Sequence, residues 1–76
     1  MFTEHSLVRI SKLLNSQRPF HGTAEVKKTP QIGDVGAVVH VYEQGKAYAV
    51  EMTNKDGYTV WLADFVGEEL ELVELR

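Results

Sequence analysis

The stretch that decides the fold is a pair of β-branched and aromatic runs separated by a short polar turn. It reads Gly33-Asp34-Val35-Gly36-Ala37-Val38-Val39-His40-Val41-Tyr42, then Glu43-Gln44-Gly45-Lys46, then Ala47-Tyr48-Ala49-Val50-Glu51-Met52. Two such runs joined by a glycine-containing connection are typical of a β-hairpin. The hairpin indicates an all-β fold and fixes the centre of the predicted sheet.

Alternation within each arm predicts which side chains share a face. In the second arm, one face carries Tyr48, Val50 and Met52, and the small or polar residues lie on the other. In the first arm, alternation separates two sets: Val39 and Val41 on one face, and Val38, His40 and Tyr42 on the other.

Further strands are expected on both sides of the hairpin. Residues 6–11 predict a first strand with Val8 and Ile10 inward, but a helix capped by Thr3 fits the same local pattern. A turn signal at residues 53–57 precedes a predicted strand over residues 58–62. Residues 70–73 predict a closing strand. Glu71, and Glu74 just beyond the strand, are expected on its solvent-exposed face. Short strands with close turns favour a small barrel, which removes exposed sheet edges.

A long segment, residues 15–31, separates the first predicted strand from the hairpin. It contains Pro19, Gly22 and Pro30 and predicts no regular element, except for a short extra strand over residues 23–26. Phe20 is expected to pin the segment to the barrel. Loops of this length are uncommon in small domains and are often functional.

Length and composition bound the function. Seventy-six residues predict one domain, 1–76, with a thin margin of stability. The chain has no cysteine, which excludes thiol nucleophiles and cysteine-ligated metals and fits a reducing cytoplasm. We expect a cytoplasmic protein, because neither a signal peptide nor an apolar run long enough to span a bilayer is recognisable.

The net charge of −3 is unevenly distributed. Residues 1–31 carry five basic side chains against two acidic ones, whereas residues 64–76 carry five acidic ones against one arginine. Opposite charges on one small protein suit docking with a partner or with a second copy. Self-association through the basic loop and the acidic tail is therefore part of the prediction.

The residue pattern over nearly the whole chain resembles a family of short bacterial proteins of unknown function. The resemblance is carried by Val8-Arg9-Ile10, Gly33-Asp34-Val35-Gly36, Ala47-Tyr48, Asp56-Gly57, Glu69-Leu70 and Trp61-Leu62-Ala63-Asp64-Phe65. It implies a strand at the N-terminus and an SH3-like barrel of about five strands, with residues 15–31 as the long loop after the first strand. More distantly, Gly33-x-x-Gly36-x-Val38 is similar to KOW motifs and to small SH3-like subunits of photosynthetic and ferredoxin-dependent complexes. The glycines themselves are explained by turn geometry.

Catalytic and metal chemistry find little support in the residue pattern. His5, His21 and His40 lie on three different segments, without helical spacing between them. The chain contains no Gly-x-Ser-x-Gly nucleophile motif, and a domain this small has little room for a cleft between two carboxylates. We therefore expect a non-enzymatic protein without a cofactor or metal.

The predicted function is a protein-interaction or accessory module. Strict alternation over residues 58–62 points Trp61 outward, unless a bulge changes the phase or the long loop covers the ring. An outward Trp61 would join other aromatic and polar residues in a contact surface; the candidate residues are Trp61, Asp64, Phe65, Tyr42 and Tyr48, with charged contacts from Arg9 and Arg18.

The alternative is an RNA- or ribosome-associated module. It would use the basic residues of the N-terminal half, Arg9, Arg18, Lys27 and Lys28, on phosphates. The sequence pI of about 5.5 and the acidic C-terminal segment disfavour this alternative, because nucleic-acid-binding domains are usually basic.

Overall fold

A computed structural model describes residues 1–73 as five antiparallel strands in one sheet. The strands are β1 (Leu7–Ile10), β2 (Val35–Tyr42), β3 (Ala47–Thr53), β4 (Thr59–Phe65) and β5 (Leu70–Leu72), and a 3-10 turn, Gly67–Glu69, precedes β5. Their order across the sheet is β4-β3-β2-β1-β5. The predicted all-β class, the five strands and the long loop after the first strand are confirmed, and the arrangement is consistent with a small barrel. The prediction for Glu74 lies outside the described residues.

The N-terminal segment is a strand, as the resemblance implied. Val8 and Ile10 are buried to 1% exposure. β1 pairs with β2 on one side and with β5 on the other, so both of its edges find hydrogen-bonding partners. The helical alternative is wrong. Pairing with two neighbouring strands favours the extended conformation, although the local sequence fits a helix equally well.

The central hairpin is confirmed, but its first arm contains a bulge. The backbone of Glu43, Gln44 and Gly45 has positive φ in the connection. Val38 pairs with Val50, whereas the next pair joins His40 to Ala49, so Val39 is an extra residue in β2.

The bulge changes the phase of β2. Val38 is fully buried and Val41 also packs against the core, while Val39 is 43% exposed. The prediction that Val39 and Val41 share a face is therefore wrong, since an extra residue reverses the alternation beyond it. In β3, which has no such insertion opposite these residues, Tyr48 and Val50 share a face as predicted, and that face is buried.

Gly33 and Gly36 have different physical roles. Gly33 has φ of +96°, which fits a turn before β2. Gly36 lies inside β2, where an added Cβ would come within 2.7 Å of the Glu51 carbonyl oxygen. The turn explanation is thus right for Gly33 and wrong for Gly36. At position 36 a glycine is needed because the backbone of β3 approaches too closely for a side chain.

The long loop covers the outer edge of β4. His21 and Leu62 exchange backbone hydrogen bonds of 3.0 and 2.7 Å, and the Thr23 and Lys28 N–H groups donate to Thr59 and Val60 carbonyls. Phe20 packs against the core, as predicted. Residues 24–26 form a turn rather than the predicted extra strand, because the Val26 and Lys27 N–H groups bond back to Thr23.

The core contains side chains from all five strands. Its fully buried members, ordered by size, are Trp61, Tyr48, Phe65, Ile10, Val8, Val38 and Val50. Within residues 1–73, no helix is long and apolar enough to cross a membrane.

Candidate functional site

Trp61 lies in the core with no exposed surface. Met52 pairs with Trp61, but the next pair joins Thr53 to Thr59, so Val60 is an extra residue in β4. This bulge turns Trp61 inward together with Ala63 and Phe65. The outward orientation expected from strict alternation is wrong, and a phase change at the bulge is the reason.

The indole N–H of Trp61 is satisfied by a carboxylate from the turn before β2. Trp61 Nε1 donates to Asp34 Oδ2 over 2.9 Å, and the same oxygen accepts the Gln31 N–H over 3.0 Å. A buried indole without an acceptor would be destabilising. Asp34 therefore ties the loop end, the start of β2 and the core together.

Two more of the predicted contact residues lie in the core. Phe65 is 1% exposed and packs edge-on against Trp61, with ring centroids 5.5 Å apart. Tyr48 is 2% exposed, and its hydroxyl oxygen accepts the Phe2 N–H over 3.2 Å. These side chains therefore offer a partner almost no surface, and the expected cluster of exposed aromatic residues around Trp61 does not form.

Arg18 is also turned inward, against the prediction of a charged surface contact. Its guanidinium forms an ion pair with Glu69, and its side chain is only 8% exposed. Nη1 donates to the Asp64 carbonyl over 2.5 Å, Nε donates to the Asn15 carbonyl over 3.1 Å, and the guanidinium carbon lies 4.2 Å from the centroid of the Phe65 ring. Arg18 thus holds the start of the long loop against the sheet.

Glu69 is the buried acid that sequence reasoning missed. It is 2% exposed, and its carboxylate also accepts the Leu14 and Val66 N–H groups. Burial acts to raise the pKa of Glu69, but the hydrogen bonds from Arg18, Leu14 and Val66 outweigh it and lower the pKa below 4.5. Glu69-Leu70 is part of the family resemblance, but residue type and spacing do not distinguish Glu69 from the adjacent, exposed Glu68.

The remaining predicted residues on the outer face of the sheet are Tyr42 and Asp64. The Tyr42 hydroxyl donates to Asp64 Oδ1 over 3.1 Å, which joins the end of β2 to β4 across β3. This hydrogen bond, with smaller contributions from burial and from the negative charge of Asp64, raises the pKa of Tyr42. The His40 ring packs edge-on against Tyr42 at a centroid distance of 4.6 Å.

A shallow groove of about 270 Å³ runs beside Tyr42. Ala49 pairs with Asp64 on one side and with His40 on the other, so a small side chain lies between larger ones. We call this feature the outer groove; its lining residues are Pro19, His21, Val39, Tyr42, Ala49, Leu62, Ala63 and Asp64.

Arg9 does not join the outer groove. It pairs with Val35 at the opposite end of β2 from Tyr42, and its guanidinium lies 3.5 Å from the Glu71 carboxylate. Val35 and Tyr42 are seven residue-to-residue steps apart along β2, a distance of about 23 Å. Of the seven predicted contact residues, only Tyr42 and Asp64 therefore come together on an accessible face.

The three histidines lie on separate parts of the structure. Among residues 1–73, no group of three or more histidine or acidic side chains is arranged to hold a metal ion. His21 lines the outer groove and His40 packs on Tyr42, whereas His5 lies in the N-terminal segment with φ of 76°.

Comparison with known families places these residues in a wider group. Residues 24–72, well over half of the chain, match the family described as a domain of unknown function, DUF4926. The chain belongs to the DUF4926 family. The predicted membership of a family without an assigned function is thereby confirmed. Searches of curated proteins and of solved structures found no match.

The DUF4926 match includes Tyr42 and Asp64 of the outer groove but only one partner of the Arg18–Glu69 ion pair. It contains β2–β5 and, with them, Tyr42 and Asp64. Arg9 and Arg18 precede it, although Glu69, the partner of Arg18, lies inside.

Proposed function

We propose that this DUF4926 protein is a non-catalytic module that binds a partner protein through the outer groove. The observation that carries the proposal is the environment of Tyr42. Tyr42 is 38% exposed beside the exposed Val39, while its hydroxyl donates a hydrogen bond to Asp64. A tyrosine whose ring is already oriented can contribute apolar contact area at a low cost in conformational entropy.

The shape and chemistry of the outer groove support a protein contact. The bulge turns Val39 toward solvent, and Leu62 and Ala49 extend the apolar surface from Tyr42 toward the loop. His21 and Asp64 supply polar groups beside it. The groove is smaller than the roughly 300–1,000 Å³ of typical small-molecule sites, which favours a shallow contact over an enclosed substrate.

The setting of this module follows from the composition and the family resemblance. We propose an SH3-like barrel acting in the bacterial cytoplasm. The chain has no cysteine and so needs no disulfide, which suits a reducing compartment. Self-association is part of the proposal, and sedimentation velocity over a concentration series would detect it. A single monomeric species at every concentration would exclude it.

Nucleic-acid binding remains the weaker alternative. Among the basic residues expected to contact phosphates, Arg18 is engaged by Glu69 and Arg9 lies close to Glu71. Lys27 and Lys28 are the exposed cations that remain from that set. A phosphate-driven complex would weaken steeply as salt increases, whereas an apolar contact at Tyr42 would change little.

The proposal is tested by capture from cells that produce the protein, using wild-type and Tyr42→Ser baits with nuclease present. Tyr58→Ser is the matched control, because Tyr58 is also exposed but lies in the turn before β4. We expect a nuclease-resistant protein partner that binds wild type and Tyr58→Ser and is lost, by about tenfold or more in affinity, with Tyr42→Ser.

The opposite outcomes are equally specific. A partner that Tyr42→Ser retains would refute the outer groove as the contact surface. Partners that disappear on nuclease treatment would instead support the nucleic-acid alternative. Purified partner and bait, measured by calorimetry at two salt concentrations, would then give the affinity directly.

A further inference from the structure

A second cleft, larger than the outer groove and away from it, lies between the long loop and the end of the sheet. Its volume is about 810 Å³, within the usual range for ligand sites. We call it the loop cavity; its lining residues are Glu25, Val26, Lys28, Thr29, Gln31, Asp34, Met52, Asn54 and Val60. None of them lines the outer groove.

The walls of the loop cavity are held in place by hydrogen bonds. The Lys28 N–H donates to the Val60 carbonyl over 3.1 Å, which fixes the loop against β4. Asn54 Oδ1 accepts the Asp56 and Tyr58 N–H groups, which fixes the turn on the other side. The cavity is thus formed before any ligand arrives, which lowers the entropic cost of binding.

Asp34 is the polar group with spare bonding capacity in this cavity. Both hydrogen bonds to its carboxylate, from Trp61 Nε1 and from the Gln31 N–H, end on Oδ2. Among residues 1–73, no hydrogen bond or ion pair ends on Oδ1. A carboxylate oxygen can accept two hydrogen bonds, so Asp34, a lining residue of the cavity, has an acceptor oxygen without a partner among residues 1–73.

The other lining residues indicate what kind of ligand group could donate a hydrogen bond to Asp34. Met52, Val26 and Val60 supply an apolar surface. Glu25 adds a second negative charge and Lys28 one positive charge, so the lining carries a net negative charge. Within the described chain neither of them forms an ion pair, which leaves the lysine more than 4.0 Å from both carboxylates.

We propose that the loop cavity binds a guanidinium or ammonium group carried on an apolar stem, presented as an arginine or lysine side chain of a partner protein. The cation donates to Asp34 Oδ1, and the stem packs on Met52 and Val60. Charge-assisted hydrogen bonds of this kind are stronger than neutral ones, and they distinguish a basic side chain from an apolar or neutral one of the same length. This site is separate from the outer groove, so either proposal can fail without the other.

Trp61 is a built-in reporter for the test. It is the only tryptophan of the chain, and its Nε1–H donates to the same carboxylate. The probes are Nα-acetyl-arginine methylamide and its neutral isostere, Nα-acetyl-citrulline methylamide, followed by the Trp61 indole N–H signal in ¹H–¹⁵N NMR spectra. We expect a saturable shift with the arginine probe in the millimolar range and binding of the citrulline probe about tenfold weaker or less.

Three variants sharpen the result. Asp34→Asn keeps an oxygen acceptor for Trp61 and removes the charge, so it should weaken binding of the arginine probe by about tenfold. Lys28→Gln removes the competing cation and should tighten binding. Glu68→Gln, which makes the same net charge change as Asp34→Asn outside the cavity, should leave binding unchanged.

Several results would overturn the proposal. They are equal binding of the citrulline probe, unchanged binding by Asp34→Asn, and the absence of a saturable shift in wild type. If Asp34→Asn fails to fold, Lys28→Gln decides the matter, because weaker binding by that variant contradicts a cation site. A short arginine-containing peptide that binds no tighter than the single residue would overturn the assignment to a partner protein.

Discussion

At the scale of single residues, the neighbours Glu68 and Glu69 show how little chemical identity says about environment. Glu68 is exposed, whereas Glu69 is buried and bonded to Arg18. The carboxylate of Glu69 also satisfies two backbone N–H groups, so it joins the start of the long loop to the turn before β5. Removing one partner of a buried ion pair is strongly destabilising, because the other charge is then left unpaired in the low-dielectric interior.

We therefore predict that Glu69→Gln lowers the free energy of unfolding by about 3 kcal/mol at neutral pH. The lowered pKa of Glu69 fixes the pH dependence. Its stabilising contribution is fully present above the unfolded-state pKa of about 4.5 and is lost as the pH falls through the lower folded-state value. The difference between wild type and variant should accordingly shrink on acidification.

Urea titrations between neutral pH and pH 3 would measure this difference. Glu68→Gln is the matched control, and we expect it to stay within about 0.5 kcal/mol of wild type. A Glu69→Gln variant as stable as the control at neutral pH would show that the ion pair contributes no net stabilisation.

At the scale of elements, the long loop acts as the cover of a sheet edge. The hydrogen bonds between His21, Thr23 and Lys28 and the backbone of β4 occupy groups that would otherwise be open to pairing with another chain. Gly22 makes this close approach feasible. A Cβ added there would lie 2.7 Å from the Val60 carbonyl oxygen.

We predict that Gly22→Ala lifts the loop from β4 and destabilises the protein by about 1–3 kcal/mol. The Leu62 N–H, which donates to the His21 carbonyl over 2.7 Å, should exchange with solvent deuterium faster than in wild type. Hydrogen exchange followed by NMR would detect the change.

Gly67→Ala provides the control for this prediction. Its added Cβ would meet the Tyr48 ring at 3.6 Å, an ordinary contact, so Leu62 exchange should be unchanged. Equal protection of Leu62 in Gly22→Ala would contradict the role of the loop as an edge cover.

At the scale of the whole molecule, one core joins all the strands. β1 contributes Ile10, β2 contributes Val38, β3 contributes Val50, β4 contributes Trp61 and β5 contributes Leu70. Because each strand has part of its apolar surface in the same cluster, losing one strand exposes surface on its neighbours. Such coupling favours cooperative unfolding.

We predict that the chain unfolds in a single transition. Trp61 fluorescence, which reports the core, and far-ultraviolet circular dichroism, which reports the sheet, should give coincident urea curves with a slope of about 1 kcal/mol/M. Separate midpoints would contradict the prediction of one domain over residues 1–76 and would indicate that part of the chain unfolds independently.

The sequence by itself determined the hairpin, the strands that follow it and the all-β class, whereas it left residues 6–11 open between a strand and a helix. These features depend on alternation, β-branched composition and turn residues such as Gly45 and Gly57, which act over a few neighbouring positions. Alternation predicted the inward faces of Val8 and Ile10 once residues 6–11 form a strand, and the apolar ring of Phe20 in a polar loop predicted its packing on the core.

Only the tertiary structure decided which residues make the candidate sites. The bulges at Val39 and Val60 reverse a strand's phase, and a single extra residue leaves no local mark in composition. The pairing of Arg18 with Glu69, 51 positions apart, likewise depends on how the loop returns to the barrel. Local pattern predicts most of the strands, but contacts between distant segments decide which side chains are buried. Trp61 therefore lies in the core, and Tyr42 lies on the surface.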